Sequence, residues 1–127
     1  MQVVVVTPEN TALDEKADSL TLPLYDGSQG ILDNHAPMIG RLGFGEMQIS
    51  VGGSNLRYYV DGGFVQVADN VVSVLTGRAI PVSEIDVAAA RQALEAAQNM
   101  ESKTADQAEL KRRAIDQASA QIKLGQG

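Results

Sequence analysis

The chain has no cysteine, no tryptophan and a single histidine, and among its 127 residues only two are phenylalanine and three tyrosine. Without cysteine, neither a disulfide framework nor a thiolate metal site can form, and nothing points to an oxidising compartment. So few aromatics leave little material for a stacking platform that would read a carbohydrate or a peptide. No apolar run approaches the roughly 20 residues needed to cross a bilayer, so any membrane association is expected to be indirect. The start, Met1-Gln2 followed by four valines, has neither a basic leader nor a long apolar core, and is expected to stand unprocessed.

A deficit of positive charge is confined to one part of the chain. Residues 1–85 hold ten of the sixteen acids and four of the ten bases, whereas 86–127 hold six of each. The formal charge of −6 therefore belongs to the first part, which disfavours nucleic acid and anionic lipid and suits a basic protein surface. The hydrophobic fraction of 44% is enough for one modest core with an appendage.

Between residues 2 and 76 the apolar residues recur with period two. Leu20, Leu22 and Leu24 alternate with Ser19, Thr21 and Pro23, and Met47, Ile49 and Val51 lead through Gly52-Gly53 to Leu56, Tyr58 and Val60. That pair predicts a hairpin, and seven or more short strands at such spacing predict a β-sandwich or barrel. Pro23 predicts an edge strand, or a strand whose missing amide faces no neighbour.

Beyond Pro81 glycine vanishes until Gly125, and alanine, glutamine and charged residues take over, predicting two helices joined by a polar turn at 99–104. The first is expected over about 84–100, started by Ser83 and Asp86. The second is expected from a Thr104/Gln107 capping box to about 124, with Gly125 as its stop. Ile85, Ala89, Ala93, Ala96 and Met100 form the expected inner stripe of the first helix, and Ala108, Ile115, Ala118 and Ile122 that of the second. Stripes so rich in alanine bury little area, which suits an arm that can detach as well as one permanently packed on the β domain. The fold class is thus α+β: an antiparallel β-sandwich over 1–82 and a two-helix hairpin over 83–127.

Candidate chemistry is sparse. His35 could act as an acid or base with Asp33 or Asp61, but no serine or cysteine lies near it in sequence, and Asp33 is equally a turn former. Asp14, Glu15 and Asp18 read as a solvated loop rather than a metal site. Gly27-Ser28-Gln29-Gly30 lacks the Lys-Ser/Thr of a phosphate loop and reads as a flexible turn. Residues 30–40, with Ile31, Leu32, Met38 and Ile39 around His35, read as a loop-rich stretch of the kind that partners recognise.

Taken in order, these residues resemble the ε subunit of F-type ATP synthases. The similarity runs through Gly30-Ile31-Leu32, His35-Ala36-Pro37, Gly45, Asp61-Gly62-Gly63-Phe64-Val65-Gln66-Val67, the run from Asn70 to Leu75, and Ile85-Asp86 opening an alanine-rich tail. The resemblance implies a ten-stranded sandwich and a helical hairpin in the central stalk, without catalytic residues, cofactor or metal. Implied partners are the γ subunit, the c-subunit ring and, through the hairpin, the catalytic α/β head. Ser28, Gln29, Gly30 and His35 are the implied ring and γ contacts, and Lys111, Arg112 and Arg113 the implied regulatory bases. The implied location is peripheral, at the cytoplasmic face of a bacterial inner membrane or, alternatively, at a thylakoid.

Three departures stand out. Ser28-Gln29 is neutral where an acid is common, and Asp33 replaces a common proline. Relatives that bind ATP on the hairpin carry Ile-Asp-x-x-Arg-Ala, whereas here Ala89 takes the arginine's place, so ATP binding is expected to be weak or absent.

Overall fold

A computed structural model describes residues 1–126 and divides them into two compact units, Met1–Pro81 and the residues from Val82 onward. The first unit is built from ten strands: β1 (Gln2–Val6), β2 (Thr11–Lys16), β3 (Ser19–Leu24), β4 (Gly27–Leu32), β5 (Met38–Arg41), β6 (Phe44–Val51), β7 (Ser54–Asp61), β8 (Phe64–Ala68), β9 (Val71–Leu75) and β10 (Ala79–Pro81). They form two five-stranded sheets, ordered β2-β1-β9-β8-β5 and β10-β7-β6-β3-β4. All neighbours are antiparallel except β1 and β9.

Period-two alternation sends one face of each sheet inward. Val3 and Val5, Val65 and Val67, and Val72 and Val74 from the first sheet meet Leu20 and Leu22, Ile31, Met47 and Ile49, and Val60 from the second, all buried. Burying each of these side chains contributes roughly 1.5–3 kcal/mol, and together they set the register of both sheets.

The turns follow their residues. Gly52 and Gly53 (φ +54° and +85°) close the β6–β7 hairpin, as expected. Asp69 and Asn70 (φ +51° and +61°) do the same for β8–β9. Both central residues of such a two-residue turn need the left-handed region, which Gly, Asn and Asp tolerate best. Pro23 lies in an interior strand, but β3 pairs with β6 only from Ser19 to Thr21. The carbonyl of Pro23 accepts from Gly43 N (2.8 Å), so its missing amide falls on the side where that ladder has already ended.

The chain changes sheets five times, and two of these crossings, between β5 and β6 and between β7 and β8, are tied together. Leu42 N donates to the Gly63 carbonyl (2.8 Å) and Gly62 N to the Gly43 carbonyl (3.1 Å). Gly63 has φ +100°, and a Cβ there would lie 1.9 Å from the Leu75 carbonyl oxygen. Beside this corner, Asp61 is buried with both carboxylate oxygens engaged, accepting from Tyr59 OH (3.1 Å) and Arg78 Nε (3.2 Å).

The second unit holds a 3-10 turn at Val82–Glu84 and the helices α1 (Val87–Gln98) and α2 (Ala105–Gln126). Asp86, rather than Ser83, caps α1, its carboxylate accepting from Ala89 N at 3.0 Å, while the preceding residues close the 3-10 turn through Ile85 N and the Val82 carbonyl. The Thr104/Gln107 box forms as expected at one end, Gln107 N donating to Thr104 Oγ1 (3.1 Å), but the Gln107 side chain accepts from Lys103 N (3.0 Å).

The inner stripe of α1 differs from the expected one. Ala90 and Ala97 are buried and Val87 and Leu94 half-buried, whereas Ala89, Ala93, Ala96 and Met100 are exposed. Starting the helix at Asp86 makes Val87 and Leu94 the large apolar members of one 3-4 repeat, a better apolar face than alanines alone. On α2, Ala118 is buried and Ile115 and Ile122 half-buried as expected, while Ala108 is exposed.

Two outcomes follow for the sandwich. Gly63→Ala imposes both left-handed strain and a backbone clash, and is expected to lower unfolding stability by about 2 kcal/mol or more in urea denaturation. Arg57 Nη2 lies 2.6 Å from Glu46 Oε2 across β6 and β7, and chiefly this hydrogen bond holds the Glu46 carboxyl below its ordinary value. A depressed carboxylate stabilises above its unfolded value of about 4.3 and loses that contribution as pH falls through the folded value. Glu46→Gln should therefore cost about 0.2–1 kcal/mol at pH 7 and almost nothing in strong acid, the gap also shrinking in 1 M salt.

Candidate functional site

The residues expected to meet partners occupy distinct places in the sandwich. Leu24 pairs with Gly27, so the β3–β4 turn is Tyr25-Asp26, and Ser28, Gln29 and Gly30 lie inside β4, an edge strand, rather than in a flexible turn. The alternation of Leu20, Leu22 and Leu24 persists to the turn and holds Gln29 and Ile31 on the inward side of β4, which extends the ladder through Ser28. Ser28 and Gly30 are exposed on the outward side. The acid at this tip is Asp26, exposed, and beside it the Tyr25 ring carries the Arg41 guanidinium 4.4 Å from its centroid. A cation held on an aromatic face is favoured by the ring quadrupole.

The stretch 30–40 is mostly strand. Only 33–37 lies outside β4 and β5, and Ile31 and Met38 face the core while Leu32 and Ile39 face solvent. The turn before His35 is anchored from two sides. The ammonium of Met1 donates to Asp33 Oδ1 (2.6 Å) and to the Ala17 carbonyl (3.2 Å). Asn70 Nδ2 donates to the same Asp33 oxygen (3.3 Å), and Asn34 N donates to Asn70 Oδ1 (2.8 Å). The ammonium hydrogen bond first, then that of Asn70, holds the Asp33 carboxyl below the ordinary carboxylate range. Asn34 adopts φ +62°, a conformation asparagine tolerates well.

His35 is half-buried, its Nδ1 2.7 Å from the Ala36 carbonyl and its backbone N–H on the Leu32 carbonyl (3.1 Å). The two acids considered for it are committed elsewhere, Asp33 to the Met1 ammonium and Asn70, Asp61 to Tyr59 and Arg78. Asp14 accepts from Gln2 Nε2 and Asp18 from Gly52 N, and no group of three or more candidate metal ligands occurs among the described residues.

A feature the sequence reading passed over is the outer face of the first sheet. Cross-strand register aligns Arg41, Phe64, Leu75 and Val6 in one row and Ile39, Gln66, Ser73 and Val4 in the next. Ile39 is 77% exposed, Phe64 59% and Leu75 51%, so both faces of this sheet are apolar. Large exposed apolar side chains in adjacent register form a patch of the kind that mediates association. The signal was present in the sequence: Phe64 and Leu75 flank the buried pairs Val65/Val67 and Val72/Val74 with the opposite parity.

On the hairpin, the expected basic triplet is not one free patch. Arg112 forks onto Glu109 (2.5 and 3.1 Å) and reaches Asp116 (3.1 Å), Lys111 is half-buried, and Arg113 is exposed and itself engaged. Ala89, expected to stand where ATP-binding relatives carry an arginine, is exposed. No helix is long and apolar enough to cross a membrane among the described residues.

Residues 1–82 match the family model for the ATP synthase Delta/Epsilon chain β-sandwich domain. The ATP synthase epsilon chain of Rhodopirellula baltica is 48% identical over 97% of this chain and 96% of its own length. That of Synechococcus is 35% identical over 94% and 88%. A chain in the cryo-EM structure of the Euglena gracilis mitochondrial ATP synthase, covering OSCP, F1 and c-ring, superposes with a TM-score of 0.80 at 25% identity, over 93% of this chain and 76% of that one. A chain of the central stalk and c-ring structure from Tetrahymena thermophila shares the fold, with a TM-score of 0.78 at 17% identity over 98% of this chain and 96% of that one. The chain therefore belongs to the epsilon chains of the ATP synthase, as a non-catalytic subunit of its central stalk.

Proposed function

We propose that this subunit couples rotation of the c-ring to ATP synthesis, and that its hairpin restrains ATP hydrolysis. The observation that carries the coupling half is the outer face of the first sheet. Ile39, Phe64 and Leu75 stay in water unless a partner covers them, and the partner we propose is γ. A rigid sandwich seated on γ through an apolar centre and a polar rim of Arg41 and Gln66 transmits torque without bending.

The ring contact falls on the β3–β4 tip and edge, where Ser28, Gln29 and Gly30 lie with Asp26. Asp26 supplies the acid that neutral Ser28-Gln29 lacks, and it suits a cationic loop of the ring. The anchored turn at 33–34 gives His35 a fixed position beside the γ face. The complex sits at the cytoplasmic face of a bacterial inner membrane, where this subunit is peripheral.

The restraint half rests on the hairpin. Its core is small, with Ala90, Ala97 and Ala118 its fully buried members among the described residues, so little burial opposes its opening toward the α/β head. Lys111, Arg112 and Arg113 are the bases that would meet that head. With Ala89 where ATP-binding relatives carry an arginine, the arm lacks that cation for ATP phosphates.

Phe64→Asp with Leu75→Asp should leave the isolated subunit folded by circular dichroism but weaken its association with γ by about 30-fold or more, the scale of losing a central anchor. Unchanged affinity in surface plasmon resonance refutes the docking face. Deleting residues 86–127 should raise ATP hydrolysis by the assembled enzyme while proton-driven synthesis continues, and equal hydrolysis in both forms refutes the restraint.

A further inference from the structure

Glycine is the poorest helix former apart from proline, so Gly125 was expected to end α2. Instead the helix runs through it to Gln126. Its surroundings explain why. A Cβ at Gly125 would lie 2.5 Å from Val87 Cγ2 and 3.0 Å from Ile85 Cγ2, so only hydrogen fits between the backbone of α2 and these two side chains. Ile85 and Val87 are β-branched and half-buried, and such side chains have few rotamers into which to retreat.

The position of this contact gives it leverage. α1 spans 12 residues and α2 spans 22, so α2 runs back past the whole of α1 to the residues around its N-cap, Asp86. Gly125 thus seals the open end of the hairpin, opposite the turn at 99–104. Elsewhere the two helices meet mainly through alanines and a few half-buried aliphatic side chains, which resist separation weakly. A contact at the free end governs whether the helices part, because the connected end holds them together in either state.

We infer that Gly125 against Ile85 and Val87 is the catch that sets the balance between closed and open hairpin. The functional consequence rests on the restraint proposed above: an open arm is the inhibitory one. The catch needs no ligand, since it is built from one missing side chain and two aliphatic ones. Any side chain at position 125 shifts the balance toward the open arm, although alanine is a better helix former than glycine, so helix propensity and closure are predicted to move in opposite directions.

Because the chain has no cysteine, Ala88→Cys and Lys123→Cys place a nitroxide pair across the open end without background labelling. In the full-length subunit, double electron–electron resonance should show a single short distance for Gly125 and an added longer population for Gly125→Ala, with helix content by circular dichroism unchanged or higher. Gly125→Ala combined with Val87→Ala removes the nearest clashing methyl and should restore most of the short distance. An unchanged distance in Gly125→Ala overturns the catch, as does a widened distance that Val87→Ala fails to narrow. Hydrolysis by the complex assembled with Gly125→Ala should fall. If the distance widens as predicted while hydrolysis stays the same, the catch stands and the restraint proposal fails.

Discussion

Backbone approaching where a Cβ cannot go is the constraint on which both parts of this molecule depend. In the sandwich, Gly63 lies against the Leu75 carbonyl at the point where the chain leaves the second sheet for the first. The neighbouring crossing at Leu42-Gly43 is bound to it by two backbone hydrogen bonds. With the sheets joined so closely, the inward valines, leucines and isoleucines pack into one core, and everything outward-facing inherits a fixed place. In the hairpin, Gly125 lies in the same way against Ile85 and Val87, between two helices whose fully buried members among the described residues are alanines. Rigidity and weakness thus share one device: a glycine contact backed by a deep core is held fast, and one backed by alanines is the catch inferred above.

This division matches the mechanical roles of a stalk subunit. The proposed torque transmission demands a body that does not deform, and the buried core between the two sheets supplies one. The proposed restraint demands an element whose two states differ by a few kcal/mol, and a helix pair whose fully buried members among the described residues are three alanines suits it. The sandwich also explains why an apolar outer face is tolerated. Its strands gain their stability from the inner face and from the ladders, so Phe64, Leu75 and Ile39 are free to be selected for a partner.

Electrostatics refines the picture at the surfaces. The acidic excess of residues 1–85 is not a uniform field, because Asp33 and Asp61 are paired and Glu46 holds Arg57. Asp26, exposed at the β3–β4 tip, is the acid at the edge proposed to meet the ring. On α2, three consecutive bases lose their apparent unity once Arg112 spans Glu109 and Asp116, one turn to each side. Sequence neighbours on a helix point about 100° apart, so a run of like charges is seldom one patch.

Local chemistry alone determined a good deal of this protein. Period-two alternation from Leu20 to Leu24 and from Met47 to Val60, the Gly52-Gly53 turn, the alanine-rich tail and the Thr104 cap were legible because each depends on residues within a few positions of one another. The order of Gly30-Ile31-Leu32, His35-Ala36-Pro37 and Asp61-Gly62-Gly63 was enough to suggest the family. What only the tertiary structure decided depends on residues far apart in the chain. Ser28 and Gln29 joined a strand because Pro23 and Leu22 pair with them, and Phe64, Leu75 and Ile39 became one surface because three strands are in register. Gly125 changed from a helix stop to a point of contact because Ile85 and Val87, some forty residues earlier, lie where its side chain would be. Short-range preference chooses the elements, but their meeting places are set by the core that must be filled between them.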